Sequence, residues 1–486
     1  MDHRYAPVQR VIGILLMAFS LTHLVPLAVS VALADGVAYA YLEALWITLG
    51  TGFVLWALAR RSRRELKVRD GFLITVLLWA VMSVFGAVPL YVTDVGWDSF
   101  TDALFESTSG LTTTGATVIA TGLDLLPPSL NYYRVQLHWL GGMGIIVLAV
   151  AVLPMLGIGG MQLYRTETPG PIKNEKLTPR IAETARLLWT VYLTLTLLCA
   201  VAYRLCGMSS FDALCHAMST IATGGFSTHD ASIGHYGSPL LEWVVMLFML
   251  LATVNFSVHF MVWRTGDPRR YLRDAELRTS LGIILGLALV VCIPLAASGL
   301  YDHPLNAVRS GLFHVISYGT TTGFATANPT LWPPYQPMTL ILAGFVVGCA
   351  GSTSGGVKAI RVLLFAKQAA RELRLLTHPR SLTPIKLDGR RIPEHVVHAV
   401  GGFFSIYIAC TLVLTCAMIA TGLDPLTAFS AVAASINNMG PGLGEVNAAM
   451  NSVSPAGKWI LVVTMLLGRL EIFSVLVLFT PAFWRR

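Results

Sequence analysis

Long apolar runs alternate with short polar segments along most of the chain. Runs near twenty residues lie at 11–34, 38–59, 71–93, 132–157, 184–206, 240–263, 279–299, 336–364, 396–420 and 457–482. Each is long enough to cross a hydrocarbon layer about 30 Å thick as a helix. The pattern therefore predicts ten full spans. The first run is too long and too little cleavage-like for a signal peptide, and a second span follows at once, so it belongs with the spans. After the first two spans, each successive pair encloses a helix-like segment too short and too polar to cross.

Composition agrees. Hydrophobic residues make up 55% of the 486 residues, charged residues 12%, and mean hydropathy is +0.66. So little charge cannot cover a water-facing surface, and disorder, collagen and coiled coil are excluded as well. The expected class is an all-α polytopic membrane protein. The seven cysteines form no CxxC pair and read as small reduced side chains, with no disulfide framework and no zinc spacing.

The net charge of +8 matters through its placement rather than its sum, and does not point to nucleic acid. Of the 34 Lys and Arg, 29 fall at the amino end (Arg4, Arg10), in segments 60–69, 165–186, 264–278 and 358–391, and at Arg485-Arg486. Counted over ten spans, all of these lie on one face, which the positive-inside rule makes the cytoplasm, with both termini inside. Arg134, Arg204, Arg309 and Lys458 lie near span ends or outer connections, where a long side chain reaches the interface. Arg469 lies within the last span.

The four short segments align without gaps when read backward from a glycine. Asp102-Ala103-Leu104-Phe105-Glu106 leads through Ser109 to Thr112-Thr113-Thr114-Gly115. Asp212-Ala213-Leu214-Cys215-His216 leads through Ser219 to Ala222-Thr223-Gly224-Gly225. Gly311-Leu312-Phe313-His314 leads through Ser317 to Thr320-Thr321-Thr322-Gly323. Ala428-Phe429-Ser430 leads to Asn437-Asn438-Met439-Gly440. A serine stands six before the glycine in three copies, and Ala434 takes its place in the fourth. The second copy has two glycines; Gly225 is preferred because its helix then aligns and Gly225-Phe226 matches Gly323-Phe324. Each repeat is one span, a re-entrant helix, an extended strip and another span.

Irregular backbone at membrane depth needs protein or water to satisfy it, so four strips call for a shared wet axis. None carries a charged side chain. Their ligands are therefore expected to be backbone carbonyls, with threonine hydroxyls in support, and such rings replace the hydration shell of a monovalent cation. Glycine reaches φ > 0 and lets a carbonyl turn inward. Each strip also follows the carboxyl end of a short helix, whose field attracts cations. Asp94, Asp98, Asp124, Asp230, Asp302, Asp424 and Glu445 fall in outer segments, where they either concentrate cations or serve as ordinary caps.

Two further features stand out. Gly344 to Gly356 holds five glycines, a poor helix interior. It reads as a movable loop under the strips or as a kinked helix packed through small residues. Arg469 is a charge inside a span, expected to look into the pore and oppose passing cations, or to be paired elsewhere. Glu471, two residues on, faces away from it on a helix.

These residues resemble the Trk/Ktr/HKT superfamily of potassium transporters, and within it the TrkH-type membrane subunit. The resemblance is carried by 109–117, His138-Trp139-Leu140-Gly141-Gly142-Met143-Gly144, 222–227, 319–324, 351–358 and 437–442, and covers about residue 70 onward. It implies four pseudo-symmetric membrane–pore-loop–membrane units around one potassium path, with two additional amino-terminal helices. The expected division is 1–70 for those helices and 71–160, 161–264, 265–394 and 395–486 for the units, the third carrying the intramembrane loop and a cytosolic basic segment. The implied potassium filter is Thr113, Thr114, Gly115, Thr223, Gly224, Gly225, Thr321, Thr322, Gly323, Asn438, Met439 and Gly440. The implied gate is Gly348, Gly351, Ser352, Thr353, Ser354, Gly355, Gly356 and Arg469. The resemblance also implies K+ as the transported ion, the bacterial inner membrane, contact with lipid, a homodimer, and a TrkA-type nucleotide-binding regulatory subunit in the cytosol. No nucleotide fingerprint occurs in this chain. Glycine at all four filter positions points to potassium, because a serine in the first goes with sodium transport in plant relatives.

The alternatives are a sodium-selective or sodium-coupled relative and a membrane enzyme built on His138, His216 or His314. Glu106, His216 and His314 stand at one repeat position, nine before the glycine, which argues for helix support over catalysis.

Overall fold

The computed structural model describes residues 5–62, 68–93, 95–97, 99–147, 177–381 and 383–485. Arg4, Arg63, Arg64, Lys67, Asp94, Asp98, Arg486, the end of the expected span 132–157 and the bases of 165–176 lie outside the described residues. Among the described residues the architecture is helical apart from one tiny hairpin, and the chain is an all-α polytopic membrane protein.

Among the described residues, six helical spans are long and apolar enough to cross a membrane uninterrupted: Ala6–Leu33, Ala38–Ala59, Arg69–Val92, Ala185–Leu205, Ala275–Ala297 and Glu394–Ala420. The first two are the additional amino-terminal pair. They approach backbone to backbone, since a β-carbon at Gly13 would stand 2.8 Å from Gly52 O, as small residues allow in membranes. The other four open the four repeats.

The second span is broken in three repeats, against expectation in two of them and as the glycine-rich stretch 344–356 anticipated in the third. Runs 240–263, 336–364 and 457–482 are each broken rather than continuous. Pro239–Thr253 meets Phe256–Thr265 at 96°, and Pro455–Arg469 meets Phe473–Phe479 at 107°. Between Tyr335–Val346 and Ala359–Thr377 the chain leaves the helix altogether. The causes are local. Val254 is extended and the Asn255 side chain accepts from Ser257 N at 2.8 Å, capping a new helix. Glu471 and Ile472 both have positive φ, 56° and 48°, which no helix tolerates. Glycine-rich 347–358 cannot propagate a helix. Hydropathy averages over twenty residues and is blind to such single-residue breaks. In the first repeat, Pro128–Val147 is helical as far as it is described.

The hairpin pairs Lys386–Leu387 with Arg390–Arg391, turning through Asp388 and Gly389 at positive φ. It lies in the basic segment before Glu394–Ile419. All seven cysteines are free thiols.

Candidate functional site

Four short helices position the strips: Phe100–Leu111, Ser210–Ile221, Pro304–Gly319 and Pro425–Ile436. Three start on side-chain caps. Ser99 accepts from Asp102 N, Ser209 from Asp212 N, and Asp424 from Leu426 N and Thr427 N. All four end alike. The residue two before the key glycine turns left-handed: Thr113 (φ 52°), Thr223 (52°), Thr321 (59°) and Asn438 (50°). The next amide then reaches back to the carbonyl five residues earlier: Thr114 N to Ser109 O and Gly224 N to Ser219 O at 2.9 Å, Thr322 N to Ser317 O and Met439 N to Ala434 O at 2.8 Å. The position six before the glycine thus acts through its carbonyl, which is why Ala434 can replace serine. Gly115, Gly225, Gly323 and Gly440 follow at φ 80°, 84°, 80° and 95°. Gly224 is not in that region, so the second strip's key glycine is Gly225.

The strips close on one another. A β-carbon on Gly115 would overlap Gly224 O, one on Gly225 Thr322 O, one on Gly323 Met439 O, and one on Gly440 would stand 2.7 Å from Thr114 O. Each glycine therefore abuts the carbonyl before the next strip's glycine, in the cyclic order one, two, three, four, one. All four glycines line one cavity of about 410 Å³, together with Arg134, His229, Asp230 and Asn447. The carboxyl ends of the short helices lie at the other edge of this ring.

Most threonine side chains of the strips are engaged with protein, whereas Thr113 Oγ1 is buried without a hydrogen-bond partner among the described residues. Thr114 Oγ1 lies 2.8 Å from Thr112 Oγ1, and Thr322 Oγ1 lies 2.8 Å from Thr320 Oγ1. Asn438 Nδ2 donates to Thr114 Oγ1 and to Met465 O, both at 3.0 Å, so the strip without threonine is tied to the first. The main-chain carbonyls are thus the repeated feature. Gly224 faces the His138 ring, where a β-carbon would collide, and this accounts for the missing threonine in the second strip.

Braces hold each outgoing limb. Glu106 accepts from Thr117 Oγ1 (2.9 Å) and Val118 N (3.1 Å). His216 Nε2 bonds Ser227 Oγ (2.9 Å), and His314 Nε2 bonds Ala327 O (3.1 Å). In the fourth copy Ser430 Oγ accepts from Leu443 N at 2.9 Å. In three copies the position nine before the glycine is a support, as the repeat suggested; in the fourth that place is Ala431 and the support comes from Ser430 beside it. Arg134 is buried, paired with Glu106 at 2.6 Å, and its guanidinium stands 4.2 Å over the Phe226 ring of the second strip. Lys458 is buried against Asp102 at 2.6 Å, and Arg309 pairs with Glu242 at 2.9 Å. Arg134 and Lys458 therefore do not reach for an interface. They are paired inside the protein because a buried carboxylate needs a partner.

Beneath the ring lies the loop 347–358. Gly355 N donates to Thr321 Oγ1 at 2.7 Å, and a β-carbon on Gly355 would overlap Asn437 O. Thr353 Oγ1 donates to Ile221 O at 3.0 Å, and Ser354 Oγ lies 3.0 Å from Thr253 Oγ1. Phe256 N donates to Gly351 O at 3.1 Å. Lys358 Nζ donates to Ser354 O. Arg469 is buried and donates to Thr353 O at 2.8 Å and to Gly141 O at 3.5 Å. The expected gate residues Ser352, Thr353, Ser354, Gly355, Gly356, Gly351 and Gly348 thus share one loop, and Arg469 touches it directly. Arg469 has no carboxylate salt-bridge partner among the described residues; Glu471 is taken by Arg361 at 2.5 Å.

The outer acids divide. Asp230 accepts from Gly122 N and Leu123 N, and Asp424 is a cap. Asp124 meets His229, whose hydrogen bond holds the Asp124 carboxyl below its ordinary range.

Likeness to known proteins follows the same lines. The TrkH family, described as cation transport protein, matches residues 38–486. This chain belongs to the TrkH family. Its Halomonas elongata relative, named Trk system potassium uptake protein TrkH, is 50% identical over 98% of both chains. The Escherichia coli K12 protein of the same name is 46% identical over 99% of both. The crystal structure of the potassium transporter TrkH from Vibrio parahaemolyticus superposes with a TM-score of 0.92 at 47% identity, covering 99% of this chain and 100% of that one. These TrkH relatives are named as transporters, not enzymes.

Several residues that shape the strips and the loop carry no clear mark in the sequence. Glu276 Oε1 accepts from Ala350 N (2.7 Å) and Ile360 N (3.2 Å) and so pins both ends of the loop. Asn255 and the Arg134–Glu106 and Lys458–Asp102 pairs were likewise not assigned. A signal existed for the pairs: each is a base and an acid at membrane depth, and such charges seek each other.

Proposed function

We propose that the chain takes up potassium across the bacterial inner membrane through a filter of backbone carbonyls contributed by four pore units. The units are 71–160, 161–264, 265–394 and 395–486, behind the helices of 1–70. The filter comprises Thr113-Thr114-Gly115, Thr223-Gly224-Gly225, Thr321-Thr322-Gly323 and Asn438-Met439-Gly440. The observation that carries this reading is the closed ring of four left-handed glycines opening on one cavity. A neutral ring of inward carbonyls, with helix carboxyl ends beside it, suits a dehydrated monovalent cation and repels anions. The relatives named as potassium uptake proteins support potassium over sodium.

The loop 348–356 and Arg469 form the gate on this reading. The loop touches the ends of three pore units, and the guanidinium holds its Thr353 carbonyl beneath the ring. A fixed positive charge there opposes a passing cation, and movement of the loop would carry its anchor away. Both termini face the cytoplasm by the distribution of bases. The relatives' designation as parts of a Trk system fits a homodimer carrying a TrkA-type nucleotide-binding subunit. The basic segments 60–69, 165–186 and 358–391 offer docking faces to that subunit or to anionic lipid.

Growth at low potassium of a host lacking potassium uptake tests the function. The chain should restore growth, Gly323→Ser should change potassium flux or its preference over sodium, and Arg469→Ala should raise passive flux several-fold. Failure to restore growth, with Gly323→Ser leaving flux unchanged, would refute the filter. Unchanged flux of both ions in Arg469→Ala would refute the barrier.

A further inference from the structure

On the side of the glycine ring away from the loop, the segments that follow the first two strips meet. Asp124, His229 and His235 each offer one ligand atom, all within 4.8 Å of one another. The His229 and His235 rings lie parallel, 3.7 Å apart. Asp124 Oδ1 contacts His229 Nδ1. The opposite edge of that imidazole, Nε2, stands 3.5 Å from Asp212 Oδ1. The two segments are stitched together by Asp230, which accepts from Gly122 N (2.8 Å) and Leu123 N (2.9 Å). Its own amide donates to Asp124 Oδ2 at 3.3 Å.

We propose that Asp124, His229 and His235 form a binding site for a transition-metal dication of the zinc class on the rim of the cavity above the strips. Two imidazoles and one carboxylate are a donor set that zinc takes readily in a site left open to water at its fourth position, once one of the two stacked rings turns so that both nitrogens aim at the ion. Imidazole selects such ions over potassium, which prefers oxygen. The Asp212 carboxylate stands 3.5 Å from Nε2 on the far side of His229, where a slightly closer approach would make it the outer partner that orients a ligating histidine. Asp124 and His235 are exposed, so an ion reaches the site from water. His229 also lines the cavity that all four glycines line. A bound dication there sets two positive charges at the mouth and slows access of monovalent cations. That consequence, unlike the binding itself, rests on the proposed potassium path.

Zinc titration of the purified full-length chain, followed with a competing chromophoric chelator, reads binding without reference to transport. Wild type should bind one zinc that His235→Ala and Asp124→Asn bind about 10–100-fold more weakly, the scale of loss seen even for outer partners. Potassium flux in proteoliposomes, with zinc on both sides, reads the consequence. His235→Ala should match wild type without zinc and resist the slowing that zinc imposes on wild type. Equal zinc affinity in all three proteins overturns the site. Zinc bound at the site with wild-type flux undiminished overturns the effect on access. Absence of flux without zinc counts against the transport reading and leaves the site to be judged by the titration.

Discussion

Arg134 and Glu106 show what a single residue contributes here. Glu106 holds the limb leaving the first strip, and Arg134 neutralises it while lying on Phe226 of the second. Removing one partner strands a buried charge, at a cost of about 3–5 kcal/mol. Arg134→Ala should therefore lower the thermal unfolding temperature of the detergent-solubilised protein sharply. Combining Arg134→Met with Glu106→Gln should lose less than the two single changes together, because each removes the other's unpaired charge. Additive losses would mean that the pair is not coupled. The key glycines work at the same scale but for a steric reason. A left-handed backbone costs other residues about 1–2 kcal/mol, and a β-carbon would strike a neighbouring carbonyl.

At the scale of elements, the broken second helices are the departure from a bundle of straight spans. Their breaks gather around the loop 347–358: Phe256 N bonds Gly351 O from the second repeat, and Arg469 bonds Thr353 O from the fourth. Glu276, in the first turn of Ala275–Ala297, bonds amides at both ends of the loop. Glu276→Ala leaves those buried donors unsatisfied, at about 1–3 kcal/mol each. The loop should loosen, protease cleavage within 347–358 should speed up, and basal potassium flux should rise as with Arg469→Ala. Unchanged cleavage and flux would remove Glu276 from the device. Glycine-rich composition pointed to this loop. Nothing local pointed to Glu276, which is 74 residues from Ala350.

For the whole molecule, the ring must close between the fourth and first repeats with no chain connection. Lys458–Asp102 at 2.6 Å, Met450 N to Thr117 O at 2.7 Å and Asn438 to Thr114 form that seam. The second and third repeats meet through Arg309–Glu242 and Gly234 N to Ala325 O. Lys458→Met strands Asp102 and should weaken the closing seam by about 3–5 kcal/mol. Potassium selectivity over sodium should fall with it, measured as the ratio of the two fluxes. Lost stability with selectivity intact would make the seam purely structural.

The repeat, the strip glycines, the loop and the anomalous arginine were legible in the residues alone. Each is a short-range matter of hydropathy, backbone freedom or a charge out of place, and the fourfold recurrence amplifies it. The docking of two broken helices on the loop, the partners of Arg134 and Lys458 and the meeting of Asp124 with His229 were decided only by the tertiary structure. These depend on contacts between residues tens to hundreds of positions apart, which a one-dimensional pattern does not record.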